Sequence, residues 1–199
     1  MVSAAATSLG ADTGPVLGVA FEVTLADARA GDQDAFAAIF RDIQPSLLRY
    51  LQVIAGDAAE DTAGDTWLQV IAGLAGFRGD EQAFKAWLFT IARHRAIDSG
   101  RSRARRQALP ARLGATYLRQ AMPDTADVVL ERLSTQAVLT AIASLPGDQA
   151  EIIMLRVVAG LDAPAVAQIV GKTPGAVRVA AHRGLRRLAT VLDQPGVTV

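Results

Sequence analysis

Cysteine is absent from this sequence of 199 residues, and histidine occurs only twice, as His94 and His182. Without cysteine the chain cannot form disulfides, iron–sulfur clusters or cysteine-ligated zinc sites, and thiol catalysis is excluded. The two histidines lie far apart in the sequence, which argues against a histidine-rich metal site. We therefore expect neither a metal nor another cofactor.

Long hydrophobic runs are also missing. No stretch approaches the roughly 18–20 consecutive apolar residues that cross a bilayer. The first basic residue is Arg29, so the charged start of a signal peptide is lacking. We expect a cytoplasmic protein with no membrane insertion.

Aromatic residues make up only 5% of the chain, whereas hydrophobic residues as a whole reach 51%. This composition excludes wholesale disorder and predicts a core built mostly from aliphatic side chains. The 20 acids balance the 20 bases, but the bases are unevenly distributed. Residues 85–119 hold nine bases and one acid, and residues 172–187 hold five bases and no acid. Two basic blocks in acidic surroundings indicate two separate anion-binding surfaces.

Apolar residues recur at helical spacing along most of the chain, and no segment shows the sustained alternation of a strand. The pattern predicts an all-α protein with two small helical domains joined by a flexible linker. The predicted segments are a flexible N-terminal tail over 1–22, a first domain over 23–106, a linker over 107–126 and a second domain over 127–194.

Local signals predict where the helices of the first domain begin. The helical pattern starts at Thr24, Pro45 is expected to start a new helix, and Asp57 is expected to cap the next one. The apolar stripe expected on that capped helix comprises Trp67, Leu68, Val70, Ile71 and Leu74.

The C-terminal part has the signals of a helix-turn-helix. A helix over 162–170 is expected to break at Gly171, Thr173 offers an N-cap oxygen, and Pro174 suits the first helical position. The helix that follows is predicted to turn Val177, Ala181, Leu185 and Leu188 inward. Its bases suit contacts to guanine and phosphate in a major groove. The alternative is a solvated amphipathic helix with a basic face.

A second motif combines arginines with aromatic rings on one long predicted helix, over about 82–106. Arg93, Arg95 and four further arginines follow Phe84 and Trp87. Proteins that bind single-stranded nucleic acid typically combine basic side chains, which contact the phosphate backbone, with aromatic side chains, which stack on the bases. For the rings, a place in the core is the favoured interpretation; for the arginines, nucleic acid is favoured over a solvated helix end.

A third motif is the acidic stretch around Glu60, Asp61 and Asp65. A solvated face, a docking surface for a protein partner and a weakly supported metal or acid–base site all remain open at this stage.

In this order, the three motifs resemble one family, the extracytoplasmic-function sigma factors of bacterial RNA polymerase. Residues 57–68, DAAEDTAGDTWL, are similar to the family's region 2.2, although Gly64 stands where the family usually has Gln. Residues 84–98, FKAWLFTIARHRAID, are similar to regions 2.3–2.4. Residues 145–161 resemble the start of region 4, and residues 173–188 resemble its recognition helix. The resemblance covers about residues 24–192.

The resemblance implies a role for each motif. The residues expected to bind the polymerase core, through its β′ and β subunits, are Asp57, Glu60, Asp61 and Asp65. Those expected to contact the minus-10 promoter element are Phe77, Arg78, Lys85, Trp87, Arg93, His94, Arg101 and Arg103. Those expected to contact the minus-35 element are Lys172, Thr173, Arg178, His182, Arg183 and Arg186. It also implies an anti-sigma factor as a further partner.

These considerations predict a promoter-specificity subunit that is not an enzyme. A stand-alone helix-turn-helix regulator would leave the first two thirds of the chain unused. A helical enzyme would need the carboxylates Glu60, Asp61 and Asp65 to form a site. A helical protein-interaction module would need no arginine on the last helix.

Overall fold

The computed structural model describes residues 19–107 and 136–192, and all regular structure in these two ranges is helical. This confirms the predicted all-α class. The helices are α1 (Val19–Arg29), α2 (Gln33–Ala55), α3 (Ala59–Leu74), α4 (Glu81–Gln107), α5 (residues 136–143), α6 (Gly147–Ile153), α7 (Ala163–Val170) and α8 (Pro174–Leu192). A 3-10 turn (Gly56–Ala58) joins α2 to α3, and a π-helical turn (Met154–Val158) follows α6.

The chain divides into two units, residues 1–42 and residues 43–199. In the first unit, α1 buries Phe21 and Leu25, and Asp32 caps α2 by accepting hydrogen bonds from the Asp34 and Ala35 N–H groups. The prediction placed Phe21 in a flexible tail and began the helix at Thr24. That boundary is too late, because α1 begins at Val19 and the Phe21 ring is buried. The rest of the predicted tail, and all of the predicted linker except Gln107, lie outside the described residues.

The second unit shows that Pro45 does not start a helix, contrary to the prediction. Helix α2 runs through Pro45 without interruption. A proline removes one backbone donor and usually breaks a helix interior. Here Leu47, Tyr50 and Leu51 are fully buried just beyond it, so tertiary packing keeps the chain helical. Asp57 also differs from its prediction: it lies in the 3-10 turn, and no side chain caps α3.

Helix α3 packs against α4, and residues of α2 contact large side chains of both helices. Tyr50 meets Phe89 edge to face at 5.3 Å, and the Trp67 indole N–H donates to Gln44 Oε1 at 2.6 Å. The indole N–H of this buried tryptophan therefore has a hydrogen-bond partner, and the side of α3 that carries Trp67 faces the core.

The helix-turn-helix forms as predicted around Gly171. Asp162 Oδ1 accepts from the Ala165 N–H at 2.8 Å and caps α7, and Gly171 ends α7 in the left-handed conformation with φ 69°. Thr173 Oγ1 then accepts from the Ala176 N–H at 3.2 Å, and Pro174 is the first residue of α8. Both α6 and α7 pack against α8.

The rotation of α8 about its axis differs from the prediction at one position. Leu185 was expected to face inward, but it is 45% exposed. The buried position beside it is Gly184, where an added Cβ would lie 2.6 Å from Ile153 Cδ1 on α6. Val177 is fully buried as predicted. Helix α8 therefore approaches α6 closely through a glycine, and its basic residues lie on the opposite side.

Candidate functional site

One side of α3 combines acidic and apolar side chains, all exposed. We call it the α3 face; it comprises Asp57, Glu60, Asp61, Asp65, Leu68 and Ile71. At 100° per residue, the members that lie in α3 (residues 60, 61, 65, 68 and 71) follow one side of the helix, and the buried residues Thr66, Trp67 and Val70 follow the other. Asp57 precedes the helix in the 3-10 turn. The prediction that Leu68 and Ile71 belong to the buried stripe is wrong, since they are 68% and 54% exposed.

The composition of the α3 face fits a protein partner better than a metal ion. Within the described ranges, no group of three His, Cys, Asp or Glu residues is arranged to hold a metal. Exposed leucine and isoleucine side chains beside carboxylates form a patch that a partner can desolvate and pair with bases. Gly64 lies on the same face, with no atom within 4 Å of a Cβ built there.

Three aromatic rings hold the loop between α3 and α4. Phe77 stacks on Trp87 with 5.0 Å between ring centroids, and Phe84 meets both rings at larger angles. Phe84 is fully buried, whereas Phe77 and Trp87 are half-buried. Arg78 is exposed next to this cluster and donates to the carbonyls of Ala75 and Phe77. The rings therefore position the loop that carries Arg78.

The basic residues of α4 lie in different environments. Lys85 Nζ pairs with Glu81 Oε1 at 2.7 Å, and both side chains are largely covered. His94 is exposed, and Arg101 lies 3.7 Å from Asp98 in an exposed pair. Arg103 belongs to the helix, but its side chain lies outside the described residues. Arg93 Nε donates to Glu151 Oε1, an acceptor on α6, at 2.8 Å.

Four bases of α8 form one exposed basic surface, which we call the α8 face. It comprises Arg178, His182, Arg183 and Arg186. These positions lie opposite Val177 and Gly184, and no carboxylate in the described ranges pairs with them. Two other predicted residues have structural partners instead. Lys172 Nζ lies 3.3 Å from Asp148 Oδ2, and Thr173 serves as the N-cap of α8.

Val179 was missed by the sequence analysis. It is 50% exposed, and at 100° per residue it lies next to His182, Arg183 and Arg186 on the α8 face. Its position could have been derived from the helical period, because residues 175, 178, 179, 182 and 186 share one side of a helix. Arginines surrounding a β-branched apolar side chain can contact both base edges and a thymine methyl group in a major groove.

Such a fold, with an exposed acidic and apolar helix face in the first half and a basic helix-turn-helix in the second, is that of a transcription initiation factor of the sigma-70 class. The family pattern "Sigma-70 region 2" matches residues 39–106, and "Sigma-70, region 4" matches residues 135–188. The chain belongs to the extracytoplasmic-function (ECF) RNA polymerase sigma factors. The predicted resemblance is thereby confirmed, and a stand-alone helix-turn-helix regulator is not favoured.

Relatives and solved structures agree with this assignment. The ECF RNA polymerase sigma factor SigD of Mycobacterium tuberculosis is 35% identical over 178 residues, which cover 86% of this chain and 83% of SigD. ShbA of Streptomyces griseus is 35% identical over 179 residues, covering 82% of this chain and 91% of ShbA. The sigma factor RpoE of Bartonella quintana, solved with the anti-sigma factor NepR, has a TM-score of 0.58 and 25% identity, and the match covers 80% of this chain and 98% of that one. No helix in the described ranges is long and apolar enough to cross a membrane.

Proposed function

We propose that this sigma factor binds core RNA polymerase through the α3 face. Its acids, Asp57, Glu60, Asp61 and Asp65, supply charge that attracts a basic partner surface. Leu68 and Ile71 supply exposed apolar surface that is buried on binding, which favours association. Resemblance to the family assigns the contact to the β′ subunit, with β as the second polymerase partner.

The loop after α3 and the exposed side of α4 are proposed to contact the minus-10 element. Arg78, His94 and Arg101 are exposed there, which supports backbone contacts. Phe77 and Trp87 are packed on each other, so we assign them the positioning of the loop and one accessible ring edge for a base. Lys85, Arg93 and Arg103 complete the proposed set.

The α8 face is proposed to enter the major groove at the minus-35 element. Arg178, His182, Arg183 and Arg186 supply donors to bases and phosphates, and Val179 supplies an apolar contact. Thr173 and Lys172 lie at the turn before the helix, where backbone phosphates pass. The two domains 23–106 and 127–194, with a linker over 107–126, remain the proposed division of the chain.

The single observation that carries this proposal is the charge of the two exposed faces: acidic and apolar on α3, basic on α8. It predicts separable functions. Asp61→Asn should reduce co-elution with core polymerase about tenfold while leaving minus-35 protection by the bound fraction unchanged, and Arg178→Ala should do the reverse. Glu22→Gln, an exposed acid outside the region 2 match, is the matched control for Asp61→Asn. Equal loss in both assays for both variants would contradict the proposal.

An anti-sigma factor, a cytoplasmic location and a role without enzymatic activity complete the proposal. The support for an anti-sigma partner is the solved complex of the similar sigma factor RpoE with NepR. The anti-sigma partner can be tested on immobilised core polymerase. An anti-sigma factor that co-purifies with this chain from cells should displace the chain from the polymerase.

A further inference from the structure

Glu151 on α6 forms two hydrogen bonds to the region 2 part of the chain. Its Oε1 accepts from Arg93 Nε on α4 at 2.8 Å and from the Tyr50 hydroxyl on α2 at 3.0 Å. The three residues, which we call the Glu151 cluster, join the region 4 match (135–188) to the region 2 match (39–106). Gln82 Nε2 also donates to the Gly160 carbonyl at 3.4 Å, and α4 contacts α7.

The side chains of the Glu151 cluster are shielded from solvent, so the charge of one affects the ionisation of another. The side chains of Arg93 and Glu151 are only 25% and 14% exposed, and Tyr50 is fully buried. Burial, and then the negative charge of Glu151, raises the pKa of Tyr50 well above its ordinary value, so the hydroxyl stays protonated and donates. A charge-assisted pair with a second donor is among the stronger polar contacts a protein makes.

The second acid of α6 provides an internal comparison. Asp148 pairs with Lys172, a contact that stays within the region 4 match, at 3.3 Å, and both side chains are well exposed. The two carboxylates therefore lie on the same short helix and differ in what they contact. Each carboxylate bonds a base that the proposed function assigns to promoter DNA, but only Glu151 reaches from the region 4 match to the region 2 match.

We propose that Glu151 holds region 4 against region 2 in the free sigma factor and occupies Arg93 in place of a DNA phosphate. A carboxylate offers the guanidinium the same charge-assisted acceptor that a phosphate oxygen offers. Arg93 then binds DNA only after the two regions separate, which reduces DNA binding by the chain on its own. The part concerning DNA rests on the proposed role of Arg93; the part concerning the closed arrangement does not.

The closed arrangement is tested by a distance measurement on the full chain. Because the native sequence has no cysteine, spin labels can be placed at Gln52→Cys on α2 and Ala143→Cys on α5, which are both exposed. Glu151→Gln should shift the electron–electron distance distribution to longer and broader values, and Asp148→Asn should leave it as in the parent. Identical distributions for the parent and Glu151→Gln would overturn the proposal.

Masking of Arg93 is tested by fluorescence anisotropy with a labelled 20-nucleotide single strand of mixed sequence. Glu151→Gln and Asp148→Asn add the same charge, so a general electrostatic gain is equal in both. If the open form is about a tenth to a third of the population, Glu151→Gln should bind the strand about 3- to 10-fold more tightly than Asp148→Asn. Equal affinities together with an opened distance distribution would refute the role of Arg93 in DNA binding and leave the closed arrangement standing.

Tyr50→Phe keeps the ring volume and removes only the second donor. It should open the chain partially, with a distance distribution between those of the parent and Glu151→Gln. This variant guards against a folding defect, since circular dichroism of Tyr50→Phe and Glu151→Gln should match the parent. A native spectrum with no opening in either variant would also overturn the proposal.

Discussion

Two glycine-to-alanine substitutions in helix interiors should have clearly different effects on stability. Gly64 in α3 is exposed, and nothing lies within 4 Å of a Cβ built there. Gly184 in α8 is buried, and the same Cβ would lie 2.6 Å from Ile153 Cδ1 and 3.3 Å from Gln149 Cβ. Both substitutions add the same methyl group to a helix interior. The difference between their free energies of unfolding therefore measures the packing around the added group.

The magnitudes follow from two terms. Replacing glycine by alanine inside a helix gains about 1 kcal/mol of helix propensity at either site. At Gly184 the added methyl group must displace Ile153, a side chain that is itself only 1% exposed, and such overpacking costs about 1–3 kcal/mol. Gly64→Ala should therefore raise the free energy of unfolding by about 1 kcal/mol. Gly184→Ala combines the same gain with the overpacking cost, so it should leave the free energy of unfolding unchanged or lower it by up to about 2 kcal/mol relative to the parent.

Urea denaturation followed by circular dichroism measures both changes against the parent protein. The result also tests the site, because the close contact of Gly184 with α6 is what turns the α8 face outward. If Gly184→Ala stabilises the protein as much as Gly64→Ala, then Gly184 does not face Ile153. Arg178, His182 and Arg183 would then not share the exposed side of α8.

Three further results are expected. Arg178→Ala should weaken binding to a minus-35 duplex by about 1–3 kcal/mol in a fluorescence titration, whereas Arg187→Ala, which removes an arginine bonded to Gln149 beside the α8 face, should cost far less; equal losses would contradict the face assignment. Leu68→Gln should reduce retention on immobilised core polymerase without lowering the melting temperature, because the side chain is already exposed and glutamine has about the same helix propensity as leucine; a lower melting temperature would place Leu68 in the core. Because burial, and then the charge of Glu151, raises the folded-state pKa of Tyr50 above its ordinary 10.0, its contribution to stability is fully present below pH 10 and is lost as pH rises through the folded-state pKa. Urea midpoints between pH 9 and 12 should fall less steeply in Tyr50→Phe than in the parent, and parallel curves would refute the shift.

Helical periodicity was sufficient to predict the fold class and the helix-turn-helix. The caps at Asp162 and Thr173 and the turn at Gly171 depend on neighbouring residues only, so local rules place them correctly. Pro45 failed the same rules because burial of residues beyond it outweighs the loss of one backbone donor. Local signals are reliable where no distant packing competes with them.

Periodicity could not tell which apolar residues are covered. Leu68, Ile71 and Leu185 all fit an apolar stripe, yet they are exposed, and the buried position on α8 is occupied by Gly184. A glycine carries no hydrophobic signal, and an exposed leucine is identified only once the neighbouring helix is placed. The apolar part of the α3 face was therefore hidden from the sequence, although its acids were found.

The Glu151 cluster was also beyond sequence reasoning. The bond between Tyr50 and Glu151 spans 101 positions of the sequence, and the bond between Arg93 and Glu151 spans 58. No sequence motif with a characteristic spacing predicts either bond. Arg93 was predicted to contact DNA from its basic surroundings, and nothing in the sequence indicates that its partner in the free chain is a carboxylate of α6.

We propose that this sigma factor directs core polymerase to promoters through the α3 and α8 faces. The most direct measurement is run-off transcription with core polymerase from a GC-rich bacterium on a pooled promoter library, with the parent chain, Asp61→Asn, Arg178→Ala or no addition. We expect discrete start sites that need the parent chain, a general loss of all of them with Asp61→Asn, and a changed minus-35 preference with Arg178→Ala. Initiation that does not depend on the folded chain, or start sites unaffected by both substitutions, would contradict it.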